Sequence, residues 1–319
     1  MNKIPPIRSL GNTYLVALVI ILVVACFLRF FGWYTMPYQH DELSAISRLS
    51  FSSWGDLFQQ GIMKDGHPAL VQCFLYMWTG LFGTAEWIVK LPFVLCGIGS
   101  VYLTWRLAYK WNSATTALYS AAFMAVLQLP VFHSLHARPY APGMLLLLWF
   151  ALEWSKWHTE NKPTKSMYAR YVIAALLCAW CHHFTALGAV LLGLVGVFTV
   201  EKKKLKSYLL ANVLVVLCYL PYLPVTLAQL KYGGLGGDNG WLKAPENTFI
   251  VDYLRHVFMY SPLMLVVLLV TLIFSFYKNP REVSSNIKWR AVALVMFLFP
   301  LLIGLFYSWY VSPVIQYSL

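Results

Sequence analysis

The chain has 319 residues, of which 60% are apolar and only 11% are charged, a composition that excludes a soluble domain of this size. A net charge of +12 would suit a nucleic-acid-binding protein, but Lys and Arg lie in short segments between apolar runs and form no exposed basic domain. Apolar runs long enough to cross about 30 Å of hydrocarbon recur throughout the chain. We therefore expect an all-α polytopic membrane protein without a nucleic-acid partner.

The first predicted span follows Lys3 and Arg8 and runs from about Tyr14 to Phe31. This run is longer than the apolar part of a secretory signal, and no small-x-small cleavage site follows it, so we predict a permanent span with a cytoplasmic N-terminus. A single transmembrane domain over 1–319 is expected. Its nine predicted spans lie at 13–33, 86–108, 113–132, 140–156, 170–182, 185–200, 207–228, 256–277 and 291–311.

The charges predict the orientation. Of the 24 Lys and Arg, 16 fall in the segments 1–12, 105–112, 156–170, 201–206 and 278–290, which the excess of positive charge assigns to the cytoplasm. Eight of the 12 acidic residues fall on the opposite side. That side comprises a first outer loop at 34–85 and further outer loops near 133–139, 182–185 and 229–255.

The first outer loop contains an apolar stretch at 67–83. If this stretch were a span, every later loop would lie on the opposite side of the membrane. Its 17 residues would rise only about 25 Å as a helix, which is short for a crossing. We predict a helix that lies in, or dips into, the outer interface.

A second interfacial helix is predicted just before it, with Asp41, Arg48 and Asp56 on its polar face. Its apolar face would consist of Leu43, Ile46, Trp54, Leu57 and Phe58. Such a helix would hold Asp41 and Glu42 just above the lipid headgroups, a good setting for a carboxylate base. The alternative is two solvated acids in a loop.

Other outer tips carry candidate binding residues. The tip HSLHARPY contains His136, Arg138 and Tyr140, and its guanidinium either anchors to headgroups or donates paired hydrogen bonds to a phosphate. His67 and His183 are local hydrogen-bonding residues or, if they converge with acids, ligands of a metal such as zinc.

Two further motifs leave alternatives open. Cys178-Ala-Trp-Cys181-His182 matches a haem attachment pattern, but its apolar setting also suits a disulfide, or two thiols that only pack. The glycine pairs at 233–234 and 236–237 lack the Lys-Ser/Thr of a phosphate-binding loop. They suit either a substrate-gating loop or a mobile connector.

The order of these motifs resembles a known family. Asp41-Glu42 follows the first span, His67-Pro68 opens the interfacial segment, and FGTAEWIVKLPFVLCGIGSVYLTWRLAYKW, HSLHARPYAPGMLLLL and WCHHFTAL follow in turn. From about residue 13 to the end, the chain is similar to the polyprenyl- or dolichyl-phosphate-mannose protein mannosyltransferase-like family of GT-C glycosyltransferases. This family includes the bacterial aminoarabinose transferase.

The resemblance implies an inverting glycosyltransferase in the cell inner (plasma) membrane with its active face outside the cytoplasm. A sugar would pass from a polyprenyl-phosphate donor to a lipid, glycan or protein acceptor. Asp41 would be the catalytic base, with Glu42 supporting it or helping to bind a metal. The substrate-binding residues would be His67, His136, Arg138, Tyr140 and His183. The resemblance leaves a divalent metal open as a cofactor.

The chain departs from the family at its C-terminus, because family members usually continue with more spans and this sequence stops at Leu319. A C-terminally shortened, inactive family member is therefore one alternative. A transporter or flippase of a lipid-linked glycan is another. The predicted spans hold almost no charge at mid-helix, and Arg29 is an exception. This distribution favours chemistry at the outer surface over transport.

Overall fold

The computed structural model describes the backbone of residues 11–232, 242–258, 260–278 and 287–315. Within these ranges the chain forms helices and no strands. Several features of the sequence lie outside the described residues: Lys3, Arg8, the glycine pairs between 233 and 237, most of the segment 278–290, and the end of the chain from 316 to 319.

The helices follow one another with short connections. In chain order they are α1 (Asn12–Phe30), α2 (His40–Ser47), α3 (Ala69–Phe82), α4 (Glu86–Trp111), α5 (Ala114–Val126), α6 (Gln128–Ser134), α7 (Tyr140–Thr159), α8 (Lys165–Cys181), α9 (His183–Thr199), α10 (Lys202–Tyr219), α11 (Leu223–Tyr232), α12 (Phe249–Val257), α13 (Pro262–Lys278) and α14 (Ile287–Tyr310). Helix α4 packs against α1, α5 and α7, and α8 and α9 pack against α7.

Four helical stretches within the described part of the chain are long and apolar enough to cross a membrane: Asn12–Thr35, Glu86–Trp111, Lys202–Gln229 and Ile287–Tyr310. The number rises to six if the bent pairs α5–α6 and α12–α13 each form one span. Helices α8 and α9 have 17 residues each and rise only about 26 Å. The count of nine spans therefore stays a prediction.

The first outer loop differs from its prediction in one respect. Helix α3 has 14 residues and rises about 21 Å, in agreement with a segment that does not cross the bilayer. The prediction of a single amphipathic helix before α3 is wrong. Residues 40–62 instead form α2, the 3-10 turn Arg48–Ser50, one helical turn at Trp54–Asp56 and the π-helix Leu57–Ile62.

The break in that segment has a local cause. Phe51 is extended, and the Ser53 hydroxyl accepts a hydrogen bond from the backbone N–H of Asp56 at 3.1 Å, so a new helical turn begins there. The expected apolar face is split as a result. Leu43 and Trp54 are exposed, whereas Leu57 is fully buried.

The largest apolar core joins α7, α8, α9, α10 and α14 around Trp154, Trp157, Tyr171 and Tyr208. The Tyr208 hydroxyl donates to the carbonyl of Gly193 at 2.7 Å and accepts from Trp154 Nε1 at 3.2 Å. This hydroxyl lies directly against Gly196, where no side chain fits. Helices α9 and α10 can therefore meet closely only because position 196 has no Cβ.

We predict that Gly196→Ala lowers the free energy of unfolding by about 1–3 kcal/mol, the usual cost of forcing a methyl group into a packed core. The added Cβ would collide with the Tyr208 hydroxyl, and the fully buried Tyr208 ring has no room to move aside. Thermal or denaturant unfolding in detergent measures the effect. Gly80→Ala is the control, because a Cβ there meets open space in helix α3 and is expected to stabilise the protein. Equal stability of the two variants would contradict this packing.

Candidate functional site

A cavity of about 730 Å³ lies between the start of α2, the tip that joins α6 to α7, and residues 242–256. One wall carries Asp41, His136, Arg138 and Tyr140, all of which the sequence singled out. The facing wall consists of Leu242, Lys243, Ala244, Pro245, Glu246, Thr248, Phe249, Asp252 and His256. Two segments far apart in the sequence, 34–85 and 133–140, thus meet at one cavity.

Asp41 is an exposed residue in the first turn of α2. Its backbone carbonyl accepts a hydrogen bond from Arg138 Nη1 at 3.2 Å, and both residues line the cavity. The contact links the predicted base to the predicted phosphate-binding residue through the backbone rather than through an ion pair.

Arg138 and His136 are buried and yet keep polar atoms without partners. Their exposed fractions are 8% and 5%, and Arg138 Nε and His136 Nε2 have no hydrogen-bond partner among the described residues. His136 Nδ1 lies 2.7 Å from the Phe132 carbonyl, which can only accept, so Nδ1 is the donor. Buried polar atoms normally have partners. Both residues line the cavity through other atoms, because these two nitrogen atoms are themselves shielded from solvent.

Arg138 is held from its other side by His67. Arg138 Nη2 lies 3.2 Å from His67 Nε2, which accepts, and His67 Nδ1 lies 3.4 Å from Asp65 Oδ1. Arg48 donates to Asp65 at 2.9 Å. The chain of contacts Arg48–Asp65–His67–Arg138 ends at the carbonyl of Asp41. His67 therefore orients the guanidinium from behind the cavity wall.

Asp65 is the acidic member of this chain and is largely buried. Burial alone would raise the pKa of its carboxyl group, but the hydrogen bond with His67 and the nearby charges of Arg48 and Arg138 outweigh it and leave the pKa below its ordinary value. Asp65 thus stays ionised at neutral pH and balances two cations of the site.

Glu42 lies next to Asp41 in sequence but does not face the cavity. Its carboxylate is fully buried and accepts hydrogen bonds from the backbone N–H groups of Gln39 at 2.9 Å and Ala137 at 2.8 Å. Lys90 Nζ, also fully buried, lies 3.3 Å away and donates to the carbonyls of Met36 and Pro37. Glu42 therefore connects the start of α2 to the residue before Arg138. Its catalytic role stays a prediction.

The remaining predicted residues are divided between two places. Tyr140 lines the cavity, and its ring contacts that of His133 in a tilted arrangement with ring centroids 4.6 Å apart. His183 is not among the residues that line it and lies instead near Gly66, Asp65 and His67. Its neighbour His182 is the one whose ring contacts Tyr140 and His67.

Comparison with protein-family models, curated proteins and solved structures found no match for this chain. The functional assignment therefore rests on the residues and their geometry.

The geometry also bears on whether these residues could bind a metal ion or form a disulfide. Among the residues that the structure describes, no three His, Cys, Asp or Glu side chains are placed to ligate one metal ion. Cys178 and Cys181 are separate buried thiols, and Cys181 Sγ donates to the carbonyl of Pro139 at 3.6 Å. They behave as packing residues beneath the tip that carries Arg138.

Sequence reasoning missed Asp65 and Lys90 as members of the site. Both were counted only as outer charges. The spacing Asp65-Gly66-His67 is a signal that could have linked the carboxylate to its imidazole, because residues two apart in a tight turn often share a hydrogen bond. Nothing local points to Lys90, which follows Glu42 by 48 positions and reaches it only in the folded chain.

Proposed function

We propose that this protein is an inverting glycosyltransferase of the cell inner membrane, with a GT-C-like fold of about nine spans, that moves a sugar from a polyprenyl-phosphate donor to an acceptor on the extra-cytoplasmic side. One observation carries the proposal. Among the described residues, the carboxylate of Asp41 has no partner, and Asp41 lines the same cavity as the buried cation Arg138, whose donors are only partly satisfied there. A base beside an anion-binding group is what displacement of a phosphate by an acceptor hydroxyl needs.

In the proposed reaction, Asp41 takes the proton of the acceptor hydroxyl as its oxygen attacks the anomeric carbon of the donor sugar. The bond between that carbon and the phosphate oxygen breaks, and the polyprenyl phosphate leaves with the bonding electron pair. A single displacement inverts the anomeric carbon. Arg138 and His136 would stabilise the charge that develops on the departing phosphate, because both residues line the same cavity as Asp41.

The charge distribution does not favour a carrier or flippase. Arg29 is an ionisable residue within the first predicted span, but its donors already bind Ser134 and the carbonyls of Ala25, Met124 and Ala125. An arginine with these partners is not free to bind a substrate in transit. Among the described residues that line the cavity, buried polar atoms without a partner belong instead to His133, His136 and Arg138.

The proposal is tested by incubating membranes that contain the protein with a panel of radiolabelled polyprenyl-phosphate sugars and measuring donor loss. We predict that Arg138→Gln lowers kcat for the accepted donor by about 100-fold, as loss of one preorganised donor to a developing anion does. Arg138→Lys should recover only part of this, because an ammonium group cannot donate from two fixed nitrogen atoms at once.

Lys64→Gln is the matched control, since it removes an exposed cation of the predicted first outer loop that does not line the cavity. Its kcat should equal that of the wild type. No donor consumption by the wild-type chain with any sugar would reject the glycosyltransferase proposal for this chain and leave the inactive alternative. Equal rates for wild type and Arg138→Gln would reject the role of Arg138.

A further inference from the structure

Arg29 is a fully buried arginine two residues before Phe31 in an otherwise apolar helix. A charged group at such a place is costly unless it is paired or fully hydrogen-bonded. No carboxylate pairs with it among the described residues. Its partners are neutral oxygen atoms, so the arrangement of those oxygens must account for the arginine.

The oxygen atoms belong to a break between two helices. Helix α5 ends at Val126, and the chain bends by 59° into α6. The last carbonyls of a helix have no partner within the helix. Arg29 supplies donors to two of them: Nη1 donates to Ala125 at 3.0 Å and Nη2 donates to Met124 at 3.1 Å. The flat guanidinium thus caps the end of α5 in a place where water would otherwise be needed.

The same guanidinium also reaches the far end of α6. Arg29 Nε donates to the hydroxyl oxygen of Ser134 at 3.2 Å, and that hydroxyl donates in turn to the carbonyl of Pro130 at 2.6 Å. One side chain therefore binds the end of α5 and the end of α6 together. Gly97 of α4 completes the junction, because a Cβ at that position would collide with Ser134 and contact Arg29 Nε.

The junction lies directly before the tip that forms part of the cavity wall. Helix α6 carries His133, and the residues immediately after Ser134 include His136 and Arg138 at that wall. A change in the angle between α5 and α6 would move these side chains relative to Asp41, which is fixed on α2. Misplacement of a catalytic group by about 1 Å can cost on the order of 100-fold in rate.

We propose that Arg29 is a positioning residue: by binding the ends of both α5 and α6 it sets the bend between them and so places Arg138 and His136 at the cavity. The effect on activity rests on the proposed glycosyltransferase function. The effect on the bend does not, and it can be measured without any substrate.

The experiment combines a distance and a rate. In a cysteine-free background, spin labels at Tyr119 of α5 and Val131 of α6 report the bend as a distance distribution, and donor consumption is measured in the same samples. Arg29→Met should broaden that distribution and lower kcat/KM on the order of 100-fold. Arg29→Lys should restore part of both, because an ammonium still donates to a carbonyl. Arg106→Met is the matched control, since Arg106 lies near the C-terminal end of α4, away from the junction at Gly97. Its distance distribution and its kcat/KM should both match the wild type.

The outcomes separate the two proposals. An unchanged distance distribution and rate in folded Arg29→Met would overturn the positioning role. If Arg29→Met does not fold, Arg29→Lys and Ser134→Ala decide it: a shift of the distance in either supports the role, and no shift in both overturns it. If the wild type consumes no donor, the glycosyltransferase proposal fails, and the distance measurement alone decides the role of Arg29.

Discussion

Asp41→Asn is expected to lower the turnover of the polyprenyl-phosphate sugar by about 100-fold or more, the range that loss of a general base produces. An amide cannot take the proton of the acceptor hydroxyl. The substitution is otherwise nearly isosteric, and it keeps the backbone carbonyl that Arg138 binds. The donor phosphate site should therefore remain intact. Binding of polyprenyl phosphate, measured as the rise in melting temperature that it causes, should match the wild type, while sugar release is lost.

The matched control for this experiment is Glu86→Gln. Glu86 is an exposed carboxylate in the first turn of α4 that the cavity wall does not include. Its removal changes the net charge of the outer face by the same amount, so an effect of charge alone would appear in both variants. Equal donor consumption by wild type and Asp41→Asn would sink the assignment of Asp41 as base. Loss of polyprenyl-phosphate binding in Asp41→Asn would instead assign the carboxylate to donor binding.

The helices themselves were largely predictable, because long apolar runs and the positions of Lys and Arg are global signals. The first span, expected at 13–33, corresponds to α1 at Asn12–Phe30, and the span expected at 86–108 corresponds to α4 at Glu86–Trp111. The stretch 67–83, predicted to be interfacial, contains α3. The break in the first outer loop was missed because it depends on one hydroxyl, that of Ser53, which caps a new turn.

The sequence allowed most residues of the candidate site to be predicted, but not how their side chains are arranged. Asp41, His136, Arg138 and Tyr140 stand out because polar residues at the predicted outer tips are unusual in so apolar a chain, and they line one cavity. The sequence offers no means of telling His183 from His182. In a helix or at its end, neighbouring residues point about 100° apart, so only the packed structure shows that His182, and not His183, contacts the ring of Tyr140.

Asp41 and Glu42 illustrate the same limit. Their adjacency in sequence suggested a pair of catalytic acids, yet one carboxylate is exposed at the cavity and the other is buried beside Lys90. Lys90, which pairs with the Glu42 carboxylate, is 48 positions away from Glu42 in the sequence. Ala137, whose N–H donates to that carboxylate, is 95 positions away. No local pattern contains that information.

The buried pair gives the second prediction. Glu42→Gln leaves Lys90 buried without its counter-charge, and Lys90→Met leaves the Glu42 carboxylate in the same condition. Each change should lower the free energy of unfolding by about 3–5 kcal/mol, the usual cost of breaking a buried ion pair from one side. The double variant Glu42→Gln with Lys90→Met should lose much less than the sum of the two, because it leaves no uncompensated charge. Unfolding in detergent measures all three.

This cycle also decides what Glu42 does in the reaction. If Glu42 acts only by holding the start of α2 against the N–H of Ala137, the double variant should recover donor turnover together with stability, since the Gln carbonyl can still accept that N–H. If the carboxylate itself takes part in the chemistry, stability should return while turnover stays low. Strict additivity of the two single changes would show that Glu42 and Lys90 do not form a coupled pair. The recovery of turnover, more than its loss, is the measurement that separates a positioning carboxylate from a catalytic one.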